Sequence, residues 1–178
     1  MFMLAAFCVC VEAGAQKVAV STDVVSYLNL GTMNIEASYA LAQHWSVTAG
    51  AKYNPFVYGK DDATLQSKQR VYALGTRYWR WHIYSGWWLA GKVQYQEFSR
   101  GSSSSAYTAE GDRIGSGISG GYTYMLHPHW NVEVGVGVWA GYEDYVHYAC
   151  PRCGRIVEQG TRLFFLPNDL ILTLAYIF

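Results

Sequence analysis

The sequence predicts an all-β protein, an eight-stranded antiparallel up-and-down transmembrane β-barrel, on three observations. Apolar and small or polar residues alternate with period two in almost every segment, and helical spacing is absent. The connections between these segments alternate in length, short then long. Only 15% of the 178 residues are charged, whereas 51% are hydrophobic and 16% aromatic, so part of the surface is expected to meet something other than water. Thirteen basic and thirteen acidic residues leave no net charge, which removes the electrostatic footprint that nucleic-acid binding requires.

The elements follow in order. Residues 1–11 form an apolar run too short for the roughly 20 residues of a spanning helix. The run leads into Ala13-Gly14-Ala15, a small-x-small cleavage site, and residues 1–15 read as a signal peptide ahead of a single barrel domain, 16–178. Its basic n-region is missing, which points to a start upstream of Met1 or a misplaced start. No lipoprotein box precedes Cys8 or Cys10, so no lipid anchor is expected.

Eight strands are expected at 18–28, 33–41, 45–54, 69–81, 87–98, 113–126, 130–142 and 168–178. The clearest is the seventh. Trp130, Val132, Val134, Val136, Val138, Ala140 and Tyr142 share one face, and Asn131, Glu133, Gly135, Gly137, Trp139 and Gly141 the other. Residues 42–44, 82–86 and 127–129 read as tight turns. Residues 57–68, 99–112 and 145–167 read as long polar loops, with a shorter first loop at 29–32. An outer-membrane barrel with both termini in the periplasm has this layout, and strands of about 9 to 11 residues suffice to cross the bilayer.

The face bearing aliphatic centres with Trp and Tyr at the ends fits a lipid-facing band with aromatic girdles, here Trp45, Trp81, Trp87, Trp130, Tyr124, Tyr176 and Phe178. A soluble barrel would place the large apolar groups inside. The last strand carries Leu170, Leu172, Leu174, Tyr176 and Phe178 on one face and ends on an aromatic, the form of signal read by the outer-membrane assembly machinery. The opposite parity carries charge: Asp23, Glu36, Lys52, Arg77, Lys92 and Glu133. Eight strands leave an interior that side chains just fill, so these groups are expected to pair across a plugged lumen, with Glu133 and Glu36 facing Arg77. Glu143, Asp144, Glu158 and Arg162 are assigned to the outer loops.

Cys150 and Cys153 remain after leader cleavage, and export to an oxidising compartment favours a disulfide between them. Zinc is an alternative, since His147 adds a third ligand, but a fourth is missing. A thioredoxin-like role would need a βαβ context that is not visible. His44, His82, His127 and His129 fall in the turns, three of them beside Trp, and read as interfacial turn residues rather than a shared metal site. No metal or cofactor is expected. His44-Trp-Ser46 also resembles the His-x-Ser spacing of barrel lipid A deacylases, but sits at the end opposite the outer leaflet where that chemistry belongs.

Lys17-Val-Ala-Val, Gly50-Ala-Lys-Tyr-Asn-Pro-Phe, Arg77-Tyr-Trp, Trp130-Asn-Val-Glu and Cys150-Pro-Arg-Cys-Gly together resemble a family of small Bacteroidota outer-membrane proteins. That family is described only as a domain of unknown function and is often encoded near fimbrillin-type surface genes. The resemblance spans the mature chain and implies location and fold, with no established activity. The run Ser102 to Ser105 is particular to this chain. The leading expectation is therefore a non-enzymatic barrel acting as envelope scaffold or subunit of a surface assembly. Its partners would be outer-membrane lipid, the barrel-assembly machinery during biogenesis and a surface or fimbrial protein. The alternative is a barrel enzyme acting on lipid A or peptide, which a catalytic triad near the outer leaflet would favour; a narrow pore is a third reading.

Overall fold

The computed structural model describes residues 17–58, 65–101, 108–149 and 156–178. Their elements are β1 (Val18–Asp23), α1 (Val24–Leu28), β2 (Met33–Ala42), β3 (Trp45–Asn54), β4 (Val57–Tyr58), β5 (Leu65–Trp79), β6 (Gly86–Gly101), β7 (Thr108–His127), β8 (Trp130–Tyr148) and β9 (Ile156–Ile177). Every pairing is antiparallel. The order β3-β2-β1-β9-β8-β7-β6-β5-β4 is closed by β3 against β5, so eight strands form a ring and the two-residue β4 rides on β5. The chain is thus a closed eight-stranded antiparallel barrel.

Alternation decides which face is which. On β8, Val136 is 63% exposed and points outward, while Glu133 at 3% and Trp139 at 5% point into the lumen. Outward apolar side chains recur around the wall, among them Ile35, Leu74, Leu89, Val93, Ile118 and Leu172. The polarity is that of a barrel turned inside out relative to a water-soluble one.

Two expectations are corrected. The segment 18–28 is not one strand: β1 stops at Asp23, whose carboxylate accepts from Val25 N–H at 3.1 Å and from the Ser26 hydroxyl at 2.6 Å. An aspartate in extended conformation is a strong N-cap, and it starts the short helix α1 despite two β-branched valines. The long loops are also shorter than expected, because the ladder continues past the end of the apolar pattern. β7, β8 and β9 carry 20, 19 and 22 residues, roughly twice the 9–11 needed to cross a bilayer. Backbone pairing does not itself need an apolar outward face, so alternation stops before the strand does.

Pro167 explains why β9 looked as though it began at residue 168. Gly137 faces Asp169 and Trp139 faces Leu166, which inserts one extra β9 residue at a bulge. Outward parity switches from Leu163 and Phe165 to Leu170 and Leu172 across it. Proline has no N–H to give the ladder and is tolerated at such a bulge.

Candidate functional site

Most of the predicted site residues converge on the lumen, which is built in three layers. At the end carrying the tight turns, Ala19, Trp79, Tyr84, Trp88 and Ile177 form a buried apolar cluster. Tyr84 comes from residues 80–85, the β5–β6 connection, which folds inward instead of away. Its φ of 59° lies in the left-handed region, where a tyrosine needs outside support. That support is visible: its hydroxyl donates to the carbonyls of Lys17 at 3.1 Å and Ser38 at 3.3 Å, and Asn131 Nδ2 donates to its carbonyl at 2.6 Å. Gly86 follows at φ +76°, and a Cβ there would meet the Trp81 ring at 2.4 Å, so both geometry and space require glycine. Trp79, 0% exposed, donates its indole N–H to Ser46 Oγ at 3.1 Å and meets Tyr84 edge-on at 5.6 Å.

The middle layer is charged. Arg77 donates through one terminal nitrogen to Glu133 at 2.8 Å and through the other to Glu36 at 3.0 Å, and its guanidinium lies 4.4 Å over the Trp88 ring. Thr123 donates to the second Glu133 oxygen at 3.3 Å. Lys52 pairs with Asp23 at 3.3 Å and donates to Ser26 Oγ at 2.9 Å. Lys92 pairs with Asp169. A cavity of about 90 Å³ remains between these groups.

The third layer closes the end where the strands are longest. Arg113 donates to Glu143 at 2.8 Å, with its guanidinium 4.1 Å over the Phe98 ring, and Trp139 meets Phe164 edge-on at 4.5 Å. Arg162 donates to the other Glu143 oxygen at 3.0 Å. Glu143 lies past Tyr142, beyond the outward apolar band. Burial alone would push its carboxyl up, but Arg113 and then Arg162 outweigh this and hold it below the ordinary glutamate value.

All six predicted lumen charges, Asp23, Glu36, Lys52, Arg77, Lys92 and Glu133, thus lie in paired contacts, and Glu133 and Glu36 both reach Arg77. Asp169 and Arg113 were missed, although both have inward parity on their strands. Glu143 is a correction: it is no loop charge but a buried β8 residue between two arginines, hidden from the sequence reading because the seventh strand was ended at Tyr142. Arg162 likewise stands on β9 at the rim, as do Asp144 on β8 and Glu158 on β9.

The aromatic positions form outward pairs near the turn end: Trp45 with Tyr78 at 5.1 Å, Trp87 with Tyr122 at 5.2 Å, Trp130 with Tyr176 at 5.0 Å and Tyr176 with Phe178 at 4.9 Å. Tyr124 is exposed, and Trp81 is also exposed but sits in the β5–β6 connection rather than on a strand. A second outward row, Tyr72, Tyr95 and Tyr142, occupies the other end of the wall with Ile114 among them. His44 Nδ1 donates to the Trp79 carbonyl at 3.0 Å and His129 Nδ1 to that of Ile177 at 2.9 Å, tying turns to strand ends. His147 Nδ1 lies 3.5 Å from Glu158. Cys150 and Cys153, residues 1–15 with the expected leader, and the serine run lie outside the described residues.

No curated protein matches the chain in sequence. The family model described as Protein of unknown function (DUF3575) matches residues 1–178, end to end, and the chain belongs to that family.

Proposed function

We propose that the protein is an integral barrel of the bacterial outer membrane, with its termini in the periplasm, that works without catalysis as an envelope scaffold or a subunit of a surface assembly. The observation that carries this reading is the distribution of polarity. Exposed aliphatic side chains circle the outer wall between two aromatic rows, while ten charged side chains, from Asp23 to Asp169, pair inside or at the rim of the lumen. Water outside that wall would leave a large apolar area unsatisfied, and lipid would cover it.

A lumen stoppered at both ends suits a structural part better than a conduit, and the strands that outrun the bilayer provide a surface for partners. The resemblance to small Bacteroidota proteins encoded near fimbrillin-type genes makes a surface or fimbrial protein the class of partner to seek. Outer-membrane lipid surrounds the wall, and the aromatic end of β9 is suited to the assembly machinery.

Density fractionation of cells producing the protein tests this reading. It is expected in outer-membrane fractions after carbonate washing, and to migrate faster on gels unheated than boiled. Recovery as a soluble periplasmic protein without detergent would refute it.

A further inference from the structure

The outer wall carries a feature that neither the seal nor the lipid band uses. The outward row Tyr72, Tyr95, Ile114 and Tyr142 is followed, one outward position further from the turn end, by Arg70, Glu97, Asp112 and Asp144, each facing the next across neighbouring strands. Three carboxylates therefore stand side by side immediately past the aromatic row. Like charges directly opposite in a sheet are destabilising, and the cation at the end of the row, Arg70, lies 3.7 Å from Glu97. Beyond the row the wall is concave, and this open groove has a volume of about 650 Å³. Tyr53 and Tyr148 stand at its two sides, and Lys68 and Glu110 add a donor and an acceptor along its floor.

The chemistry selects the occupant. A phosphate alone would face three carboxylates, and an apolar chain would bury charge. Among the described residues no group of three acidic, histidine or cysteine side chains is placed to hold a metal ion, because the carboxylates are strung along the row and not gathered round a point. A polyol fits: its hydroxyls donate to Glu97, Glu110 and Asp112, accept from Arg70 and Lys68, and its ring faces can lie against tyrosine. The volume is within the roughly 300–1,000 Å³ of small-molecule sites.

We propose that this groove binds the sugar headgroup of an outer-leaflet glycolipid, whose acyl chains run down the apolar wall below the tyrosine row. The inference rests on the outer-membrane reading and adds to it the lipid class and its contact residues. The groove is continuous with the outward band through Tyr95 and Tyr72, which favours a sugar already anchored in the membrane over a free glycan.

The test uses the full barrel in phosphatidylcholine nanodiscs doped with one of two lipids: the glycolipid extracted from outer membranes of the producing cells, or phosphatidylglycerol. Bound lipid is counted by native mass spectrometry. A third arm adds the sugar portion released from the same glycolipid by mild acid. The glycolipid is expected to be retained over phosphatidylglycerol, and Arg70→Ala and Asp112→Asn are each expected to weaken retention roughly tenfold, the loss of one charge-assisted hydrogen bond. Both positions are outward and beyond the lipid band, so the heat-dependent gel shift should be unchanged. The released sugar should compete only weakly. Equal retention of both lipids, or retention untouched by either variant, overturns the site. Competition by the released sugar at equal concentration overturns the lipid source in favour of a free glycan. A protein that fails to enter outer-membrane fractions instead defeats the location, which the cell fractionation reads separately.

Discussion

Glu133→Ala is expected to destabilise the barrel by about 3 kcal/mol, at the low end of the range for breaking a buried ion pair. Glu133 is almost fully buried, accepts from Arg77 at 2.8 Å, and has Thr123 on its second oxygen. Its removal leaves a buried guanidinium held by Glu36 alone, and Glu36 is 38% exposed, so water already screens that contact. The same reasoning makes Glu36→Ala the milder change. Replacing the pair together, Arg77→Met with Glu133→Leu, should be close to neutral or stabilising, because two desolvated charges disappear along with their attraction. Denaturant unfolding in detergent micelles, read as a double-mutant cycle, separates these outcomes. Equal losses for the single and double variants would mean that packing, not pairing, sets the cost.

Trp79→Ala should cost about 3–5 kcal/mol, the range for truncating a large buried aromatic. Its indole fills the turn end of the lumen beneath Arg77, with Tyr84 edge-on at 5.6 Å. Truncation would open a void between Tyr84, Trp88 and Ile177 and deprive Ser46 of its donor. Trp79→Phe keeps most of the ring volume and loses the N–H, so a smaller loss of about 1–3 kcal/mol is expected. The unfolding midpoint of each variant in the same detergent checks the order. A Trp79→Ala barrel as stable as the parent would show that the turn end needs no stopper.

The wall was readable in the sequence because a barrel with an apolar outer face and a polar lumen writes its two faces on alternate residues. Trp130 through Tyr142 shows both faces without ambiguity, and the same parity identified Arg77 and its two carboxylates although they come from separate strands. What hid the rest is physical. Past the outward apolar band the period-two contrast fades, so Glu143 and Arg162 read as loop charges although the ladder runs through them. The bulge at Pro167 reverses parity within one strand, so Leu163 and Phe165 face outward on the opposite parity to Leu170 and Leu172, whereas Asp169, on the near side of it, keeps the inward parity that the last strand already shows. Asp23 caps a helix that two valines disguise. Tyr84 was unreadable: nothing in residues 80–85 signals that a turn will fold into the barrel, and its support comes from Lys17, Ser38 and Asn131, far away in sequence.

A barrel stoppered at both ends should not conduct. Trp79, Tyr84 and Trp88 close one end, the Arg77 and Lys92 pairs occupy the middle, and Arg113 with Phe98, Trp139 and Phe164 closes the other. Single-channel recording of the purified wild-type protein in planar lipid bilayers tests this most directly. A flat baseline is expected at insertion levels confirmed by the heat-dependent gel shift, whereas stable stepwise currents would contradict the sealed lumen and make the protein a pore.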